Sequence, residues 1–361
     1  MTAAFFSEDV ASAAHRFAQA SRARGFPATE HEHPSPGPGG ERLAASVTRI
    51  GPSDCETMLV VVSGTHGVEG YAGSAIQIAA LERLDLEALG PGTGMLFVHL
   101  VNPWGCAWNR RENEDNADVF RNLVYTSPPF PRNDLYLEFE QGINPRQWRG
   151  PGRERADRIF EKLVERVGPD GAIGVIRNGQ HSHPRGITYH GAGATWSRNL
   201  VEQIGREHLA GVRRALVLDV HTGYGAPGQA SIVPYDQQGP KLEFIGRHFP
   251  DLLLVPGSDP LIPSHPRAPY EIWGKKGGPG ILYVGLEFGT AEVRDMFELF
   301  RANTFIHTYG DPADDFGRDV ARRYRELFYP ASAAWREEIL RGGLDVLDRS
   351  LKLLSGLDAL L

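Results

Sequence analysis

The sequence is poor in cysteine, in long apolar runs and in basic charge. Its 361 residues include two cysteines, Cys55 and Cys106, so a disulfide framework and a four-thiolate zinc site are excluded. No run of about 18 apolar residues occurs, so we expect no membrane span and no membrane partner. The 38 basic residues are outnumbered by 45 acidic ones, a formal charge of −7, which argues against nucleic-acid binding.

The N-terminal segment also lacks the pattern of a secretory signal. Residues 1–17 contain neither a basic region nor a long apolar stretch. Together with the scarcity of thiols and the acidic balance, this predicts a cytoplasmic protein. Hydrophobic residues make up 41% and charged residues 23% of the chain, which is a globular composition and excludes general disorder.

Short apolar runs alternate with helical patterns along the chain. The runs predict strands at 56–64, 95–102, 172–179, 214–221 and 280–289, with a weaker candidate at 251–257. The helical patterns predict helices at 8–24, 70–86 and about 153–167, and a helical chain from about 314 onward. A Pro/Gly-rich loop is predicted at 33–40 and a long surface excursion at 126–152. This alternation predicts an α/β fold with a mixed, mostly parallel sheet flanked by helices.

No internal repeat or clear linker divides the chain. We therefore expect one catalytic domain over 1–361, with an N-terminal helix and loop in 1–50 and a C-terminal helical extension in 314–361. The apolar residues of that extension lie at helical spacing. They predict packing against the domain or against a second copy of the chain, as in a homo-oligomer.

Residues that can bind a metal follow two of the predicted strands. His66 and Glu69 come after strand 56–64, and His221 ends strand 214–221. In an open α/β sheet ligands bind at the carboxyl ends of the strands, so these three side chains can meet. Two imidazoles and one carboxylate are the ligand set of many catalytic zinc sites. The same set also suits iron or manganese.

Other polar residues lie at the same predicted edge. Glu287 is embedded in an apolar strand, where a carboxylate is costly unless it is paired or used. Arg110, Arg111 and Arg121 follow strand 95–102 and suit bidentate binding of carboxylates or oxyanions. Asp219 lies two residues before His221. It either orients that histidine or is a structural carboxylate, and the sequence leaves both interpretations open.

The order of these motifs resembles a known family. HGVEG, NPWG, RR, DVFRN, DVHTGYG and GLEFGT, spread over about residues 55–330, resemble the M14 zinc carboxypeptidase superfamily and in detail its DUF2817 branch. That superfamily also contains the aspartoacylase and succinylglutamate desuccinylase enzymes. The resemblance implies one α/β domain with a mixed, eight-stranded-type sheet and one zinc ion per chain.

The resemblance also implies roles for individual residues. It assigns metal binding to His66, Glu69 and His221, catalysis to Glu287, carbonyl polarisation to Arg111 or its neighbour Arg110, and substrate-carboxylate binding to Arg121. One position departs from the family, because Phe120 stands where an asparagine usually binds the substrate carboxylate, and a phenyl ring cannot donate that hydrogen bond. Phe120 is predicted to face an apolar part of the substrate, or to indicate that the residues that bind the substrate carboxylate are shifted. Further candidate substrate contacts are Asn122, Tyr189 and Tyr224.

The predicted function is a zinc-dependent hydrolase that cleaves an amide bond next to a carboxylate-bearing residue, with a small peptide as substrate. The alternative within the family is a deacylase of N-acyl amino acids. From a different class, an inactive zinc-binding module would keep the fold, but it has no need for Glu287 as a base. The chain contains no G-x-S-x-G motif, which argues against a serine hydrolase.

Overall fold

The structure is a computed structural model that describes residues 2–83, 85, 89–125, 127–235, 238–249, 268–274, 277–290 and 293–361. These residues form seven strands: β1 (Thr29–Glu32), β2 (Ala44–Ile50), β3 (Thr57–Ser63), β4 (Thr93–His99), β5 (Arg214–Pro227), β6 (Ala230–Pro234) and β7 (Gly280–Gly289). The helices among them are α1 (Val10–Ala23), α2 (Gly70–Arg83), α3 (Pro103–Ala107), α4 (Val119–Val124), α5 (Asp134–Ile143), α6 (Gly150–Asn178), α7 (Trp196–His208), α8 (Pro240–His248), α9 (Val293–Thr308), α10 (Asp315–Phe328) and α11 (Ala333–Leu353).

The strands form one mixed sheet in the order β1-β2-β4-β3-β5-β7-β6. The pairings of β4 with β3, β3 with β5 and β5 with β7 are parallel. The three outer pairings are antiparallel, so the sheet is mixed as predicted but not mostly parallel. The central β3 is buried along its whole length, which explains its unbroken apolar sequence. The described sheet has one strand fewer than the resemblance implies.

The register of the central strands brings their carboxyl ends to one edge of the sheet. Ser63 in β3 pairs with Val220 in β5, and the next residue of β5, His221, pairs with Glu287 in β7. In parallel neighbours, paired residues point to the same face. The residues that follow β3 therefore lie close to His221 in β5 and Glu287 in β7.

Helix α2 packs directly against this edge. It is buried on all sides from Gly70 to Leu81, as expected for a helix that is apolar around its whole circumference. A Cβ atom at Gly73 would lie 2.6 Å from the Cβ of Ser63, so only glycine allows the helix to approach β3 so closely. This close packing fixes the turn between β3 and α2.

Two predicted elements are wrong in kind. The apolar run 172–179 is not a strand; it lies in the last part of α6, which resumes at Pro169 after the non-helical Gly168. Ala172, Val175 and Ile176 are buried in one cluster at helical spacing, and a short apolar run does not distinguish this pattern from a strand.

The predicted surface excursion 126–152 contains α5 and the start of α6. Asn133 caps α5, because its side chain accepts a hydrogen bond from the backbone N–H of Tyr136. The Pro and Gly residues of this stretch therefore lie beside or inside helices, with Pro151 in the first turn of α6. The weak strand candidate at 251–257 lies outside the described residues.

The C-terminal helices follow the prediction. Helices α10 and α11 occupy most of the chain after residue 314, and Ile339 and Val346 of α11 are buried in the main core. The apolar stripe of α11 is thus used against the domain itself. None of the described helices has the length and apolar character needed to cross a membrane.

A buried histidine at the end of β4 makes the fold sensitive to acid. His99 is completely buried, stacks on Phe17 at a ring distance of 4.3 Å, and places Nε2 2.9 Å from the Ser74 hydroxyl. Burial lowers the pKa of His99 to about 3. The unfolded chain therefore takes up this proton first as the pH falls, and folding is destabilised below the unfolded pKa of about 6.5.

We expect His99→Gln to flatten the pH dependence of stability. Between pH 6 and pH 4 the free energy of unfolding of the wild type should fall by about 1 kcal/mol per pH unit more than that of the variant, because glutamine does not titrate. Denaturant unfolding at several pH values measures this difference. His15→Gln, at an exposed position of α1, is the matched control. Parallel curves for wild type and His99→Gln would contradict the argument.

Candidate metal centre

Three predicted ligands meet at the edge where β3, β5 and α2 converge. His66 and Glu69 lie in the turn between β3 and α2, and His221 lies in β5. One nitrogen of each histidine and one oxygen of the glutamate all lie within 4.8 Å of one another, and all three residues are buried. They are the only group of this kind among the described residues.

The orientation of the side chains suits a divalent metal. Nδ1 of His66 lies 3.1 Å from Oε1 of Glu69, and Nδ1 of His221 lies 2.9 Å from Oε2. On the other side of each ring, Nε2 of His66 lies 3.4 Å from Asp118 Oδ1, and Nε2 of His221 lies 2.9 Å from Asp219 Oδ2. Metal-binding imidazoles commonly have a carboxylate behind the nitrogen that does not bind. The residues present therefore fit the implied zinc ion.

Glycines shape the turn that carries two of these residues. Gly64 ends β3 with a φ of 75°, a conformation that glycine adopts without strain. A Cβ on Gly67 would lie 2.2 Å from the carbonyl carbon of Gly105, so the turn can reach α3 only without a side chain there. The backbone N–H of Gly67 donates to the carbonyl of Arg111 at 3.1 Å. This hydrogen bond links the turn to the segment that carries Arg110 and Arg111.

Glu69 is a buried carboxylate surrounded by donors. Burial alone raises its pKa, but the charge of His66 and the hydrogen bonds from both histidines bring the pKa below its usual value. The backbone N–H of Thr222 also donates to Oε2 at 3.2 Å. Glu69 therefore stays ionised beside the two imidazoles, as a metal ligand must.

Glu287 is the second carboxylate at this edge. It pairs with His221 across β5 and β7, and its Oε2 is buried with no hydrogen-bond partner among the described residues. Burial raises the pKa of Glu287 to about 7, and the charge of Glu69 acts in the same direction. An acid of this pKa can both accept and release a proton near neutral pH. Its catalytic role stays a prediction.

The two neighbouring arginines have different surroundings. Arg111 places Nη1 2.8 Å from Asp118 Oδ2 and Nε 3.5 Å from Glu69 Oε1. Arg110 instead donates to Asn116 at 2.5 Å and lies 3.4 Å from Glu112. Arg111 is therefore the one that contacts the ligand cluster. Arg110 is buried, its Nε has no hydrogen-bond partner among the described residues, and its substrate-binding role stays a prediction.

Phe120 and Arg121 form the next layer of the site. The ring of Phe120 lies 6.1 Å from that of His66 and 6.2 Å from that of His221. The guanidinium carbon of Arg121 lies 4.8 Å from the centre of the Phe120 ring, and Nη2 donates to the carbonyl of Arg177 at 2.6 Å. Nε of Arg121 is buried without a hydrogen-bond partner among the described residues. The position that carries an asparagine in the family thus presents an aromatic face.

The other predicted substrate contacts have mixed outcomes. The side chain of Asn122 donates to the carbonyls of His190 and Gly193 and accepts from the N–H and hydroxyl of Thr195. Its amide is fully used inside the protein, so the predicted substrate contact is corrected to a loop anchor. Tyr189 is buried, and its backbone carbonyl accepts a hydrogen bond from the backbone N–H of Asp118 at 2.7 Å. The substrate roles of Tyr189 and Tyr224 stay predictions.

Asp118 contacts the ligand cluster, although the sequence predicts no role of its own for it. Its Oδ1 accepts the backbone N–H of Arg121 at 3.1 Å and so caps α4, while the same carboxylate faces His66 and Arg111. Burial raises the pKa of Asp118, but the charges of Arg111 and His66 bring it well below its usual value. In the sequence, the one indication of this contact is an aspartate three residues before Arg121. A helix cap accounts for an aspartate at that position equally well.

A family model matches almost the whole chain. The model is DUF2817, described as a protein of unknown function, and it matches residues 6–342. A search of curated proteins gave no match.

Several solved structures resemble the chain at low sequence identity. A metallo-carboxypeptidase from Pseudomonas aeruginosa is 15% identical, with 95% of this chain and 68% of that chain covered and a TM-score of 0.48. A provisionally named metallopeptidase from Shewanella amazonensis is 16% identical, with coverage of 82% and 92% and a TM-score of 0.42. A succinylglutamate desuccinylase from Chromobacterium violaceum is 15% identical, with coverage of 88% and 74% and a TM-score of 0.34.

We expect the protein to bind one zinc ion per chain. His221→Gln should weaken zinc binding by more than the roughly 10–100-fold that loss of an outer partner costs, because it removes a ligand. Competition against a chromophoric chelator measures the affinity. The matched control is His99→Gln, which removes a buried histidine outside the cluster and should leave zinc affinity unchanged. Equal zinc binding by wild type and His221→Gln would contradict the assignment.

Proposed function

The chain belongs to the DUF2817 family, and we propose that it is a zinc-dependent hydrolase that cleaves an amide bond next to a carboxylate. The observation that supports this most strongly is the buried cluster of His66, Glu69 and His221, with Glu287 opposite His221 and its Oε2 unpartnered among the described residues. When bound there, zinc supplies a Lewis acid and makes water more acidic. We propose a small peptide or an N-acyl amino acid as substrate.

Glu287 acts in this proposal as the proton carrier. Its raised pKa of about 7 keeps a large fraction ionised at neutral pH, so it can accept the proton of the attacking water. The protonated carboxyl then delivers that proton to the leaving nitrogen. The absence of a hydrogen-bond partner for Oε2 among the described residues leaves that oxygen available for this exchange.

The arginines supply the charges that bind and orient the substrate. Arg111, fixed by Asp118, stabilises negative charge that develops on the carbonyl oxygen, a contribution of roughly 3–4 kcal/mol per donor. Arg121 anchors the substrate carboxylate, since its buried Nε needs an acceptor. Anchoring the carboxylate orients the amide bond for attack.

Replacing Glu287 tests the catalytic assignment. Glu287→Gln should lower kcat by about 10²–10⁴-fold, because the amide cannot take up a proton. Zinc affinity should remain that of the wild type, and Glu207→Gln, at an exposed position of α7, should leave both properties unchanged. Full turnover by Glu287→Gln with zinc bound would overturn the mechanism. A wild type that binds zinc but turns over none of the amides in a broad panel would instead indicate an inactive binding module.

A specific observation favours the second candidate function, a deacylase of N-acyl amino acids. At the position where the family's asparagine binds the carboxylate, this chain has the Phe120 ring, and the amide of Asn122 is occupied by the protein itself. The carboxylate therefore depends on Arg121 with fewer partners than in the family pattern. The aromatic wall beside the cluster suits an apolar acyl group.

A substrate panel separates the two functions. N-acyl amino acids and peptides longer than three residues are offered to the wild type, and release of the C-terminal residue from the peptides would favour the carboxypeptidase. Phe120→Asn should raise kcat/KM for the peptides relative to the N-acyl amino acids, because it removes the aromatic wall that suits an apolar acyl group. Phe120→Leu is the control, since it removes the ring but keeps an apolar side chain. Identical substrate ratios in all three proteins would show that this position does not set specificity.

A further inference from the structure

A chain of buried hydroxyl groups lies behind His221. Thr65 Oγ1 donates to Asp219 Oδ1 at 2.7 Å, and Tyr283 OH donates to Asp219 Oδ2 at 3.2 Å. Tyr270 OH lies 2.6 Å from Thr65 Oγ1. All of these residues are buried. The single hydroxyl proton of Thr65 is donated to Asp219, so Tyr270 must be the donor in its hydrogen bond with Thr65.

Hydroxyl groups, and no arginine or lysine among the described residues, surround the carboxylate of Asp219. The carboxylate is completely buried, and within the described part of the chain no arginine or lysine pairs with it. Two hydroxyl donors and Nε2 of His221 at 2.9 Å surround it. Such surroundings stabilise the carboxylate as an acceptor and therefore hold a proton on Nε2 of His221. Nδ1, 2.9 Å from Glu69 Oε2, is then the nitrogen that can release its proton and bind the proposed metal.

The backbone of Tyr270 indicates that this arrangement is held under constraint. Its φ of 63° lies in the left-handed region, which a non-glycine residue with a large side chain rarely adopts. Its ring stacks on that of Tyr283 at 6.2 Å with an angle of 14° between the planes. Strained residues persist where the surroundings hold them, and they concentrate at functional sites. In this conformation the Tyr270 phenol contacts Thr65, the residue before His66.

We propose that Thr65, Tyr270 and Tyr283 are positioning residues that act through Asp219 to fix the tautomer and orientation of His221 for metal binding. This inference rests on the proposed function, because it assumes that His221 is a metal ligand. The hydroxyls lie behind the imidazole, on the side away from Glu69. They are expected to set zinc affinity directly and turnover only through zinc.

A pair of substitutions at Thr65 separates the hydroxyl from the packing of the side chain. Thr65→Val keeps the shape and removes the donor, whereas Thr65→Ser keeps the donor and removes a methyl group. In a Zn²⁺ competition titration, Thr65→Val should bind zinc about 10–100-fold more weakly than wild type, and Thr65→Ser should stay near wild type. Tyr283→Phe should also weaken zinc binding, because it removes the second donor to Asp219.

Tyr329→Phe is the matched control for the loss of a buried phenol. Tyr329 OH accepts a hydrogen bond from the backbone N–H of Ser7 and donates one to its carbonyl. Removal of this hydroxyl should lower the stability of the protein without changing its zinc affinity. Thermal unfolding in the presence of EDTA establishes that each variant is folded, and Tyr283→Phe replaces Thr65→Val if the latter is not. Wild-type zinc affinity in folded Thr65→Val or Tyr283→Phe would overturn the inference. Failure of the wild type itself to bind zinc would overturn the proposed function instead.

Discussion

The buried charge of Glu69 is the constraint on which the rest of the site depends. A carboxylate removed from water must be surrounded by donors, and here each oxygen faces the Nδ1 atom of one histidine. Meeting that need places the end of β3 beside Val220, the residue before His221 in β5, with α2 packed close to the sheet. Gly67 and Gly73 allow these close approaches. The arrangement of the strands thus follows from the same requirement as the chemistry.

The two imidazoles are supported in physically different ways. His66 faces Asp118, which also forms an ion pair with Arg111. The Asp118 side chain in addition caps α4, the helix that carries Arg121. This half of the site is therefore connected to the residues proposed to bind substrate. His221 faces Asp219, which is held inside the sheet by hydroxyl groups.

The sequence predicted the parts of the site that local patterns specify. The strands that carry His221 and Glu287, and the turn with His66 and Glu69, are continuous motifs whose position at a sheet edge follows from α/β topology. The membership in DUF2817, predicted from the order of the motifs, is confirmed. The fold class is confirmed as well, whereas the share of parallel pairings is smaller than predicted because both flanks of the sheet are antiparallel.

The parts that were not predicted depend on contacts between distant segments. The run 172–179 looked like a strand because eight apolar-rich residues fit either period, and only its packing in the cluster around Leu163 shows a helix. The engagement of Arg110 and Asn122 with the protein itself depends on loops that the sequence cannot place. The role of Tyr270 required its unusual backbone conformation to be seen.

The central claim is that two imidazoles and one carboxylate bind a single zinc ion. X-ray absorption spectroscopy of the zinc-loaded protein measures the ligands directly. We predict two imidazole nitrogens at about 2.0–2.1 Å together with oxygen ligands, and no sulfur shell near 2.3 Å. A spectrum with fewer than two imidazoles, or with sulfur in the first shell, would contradict the account.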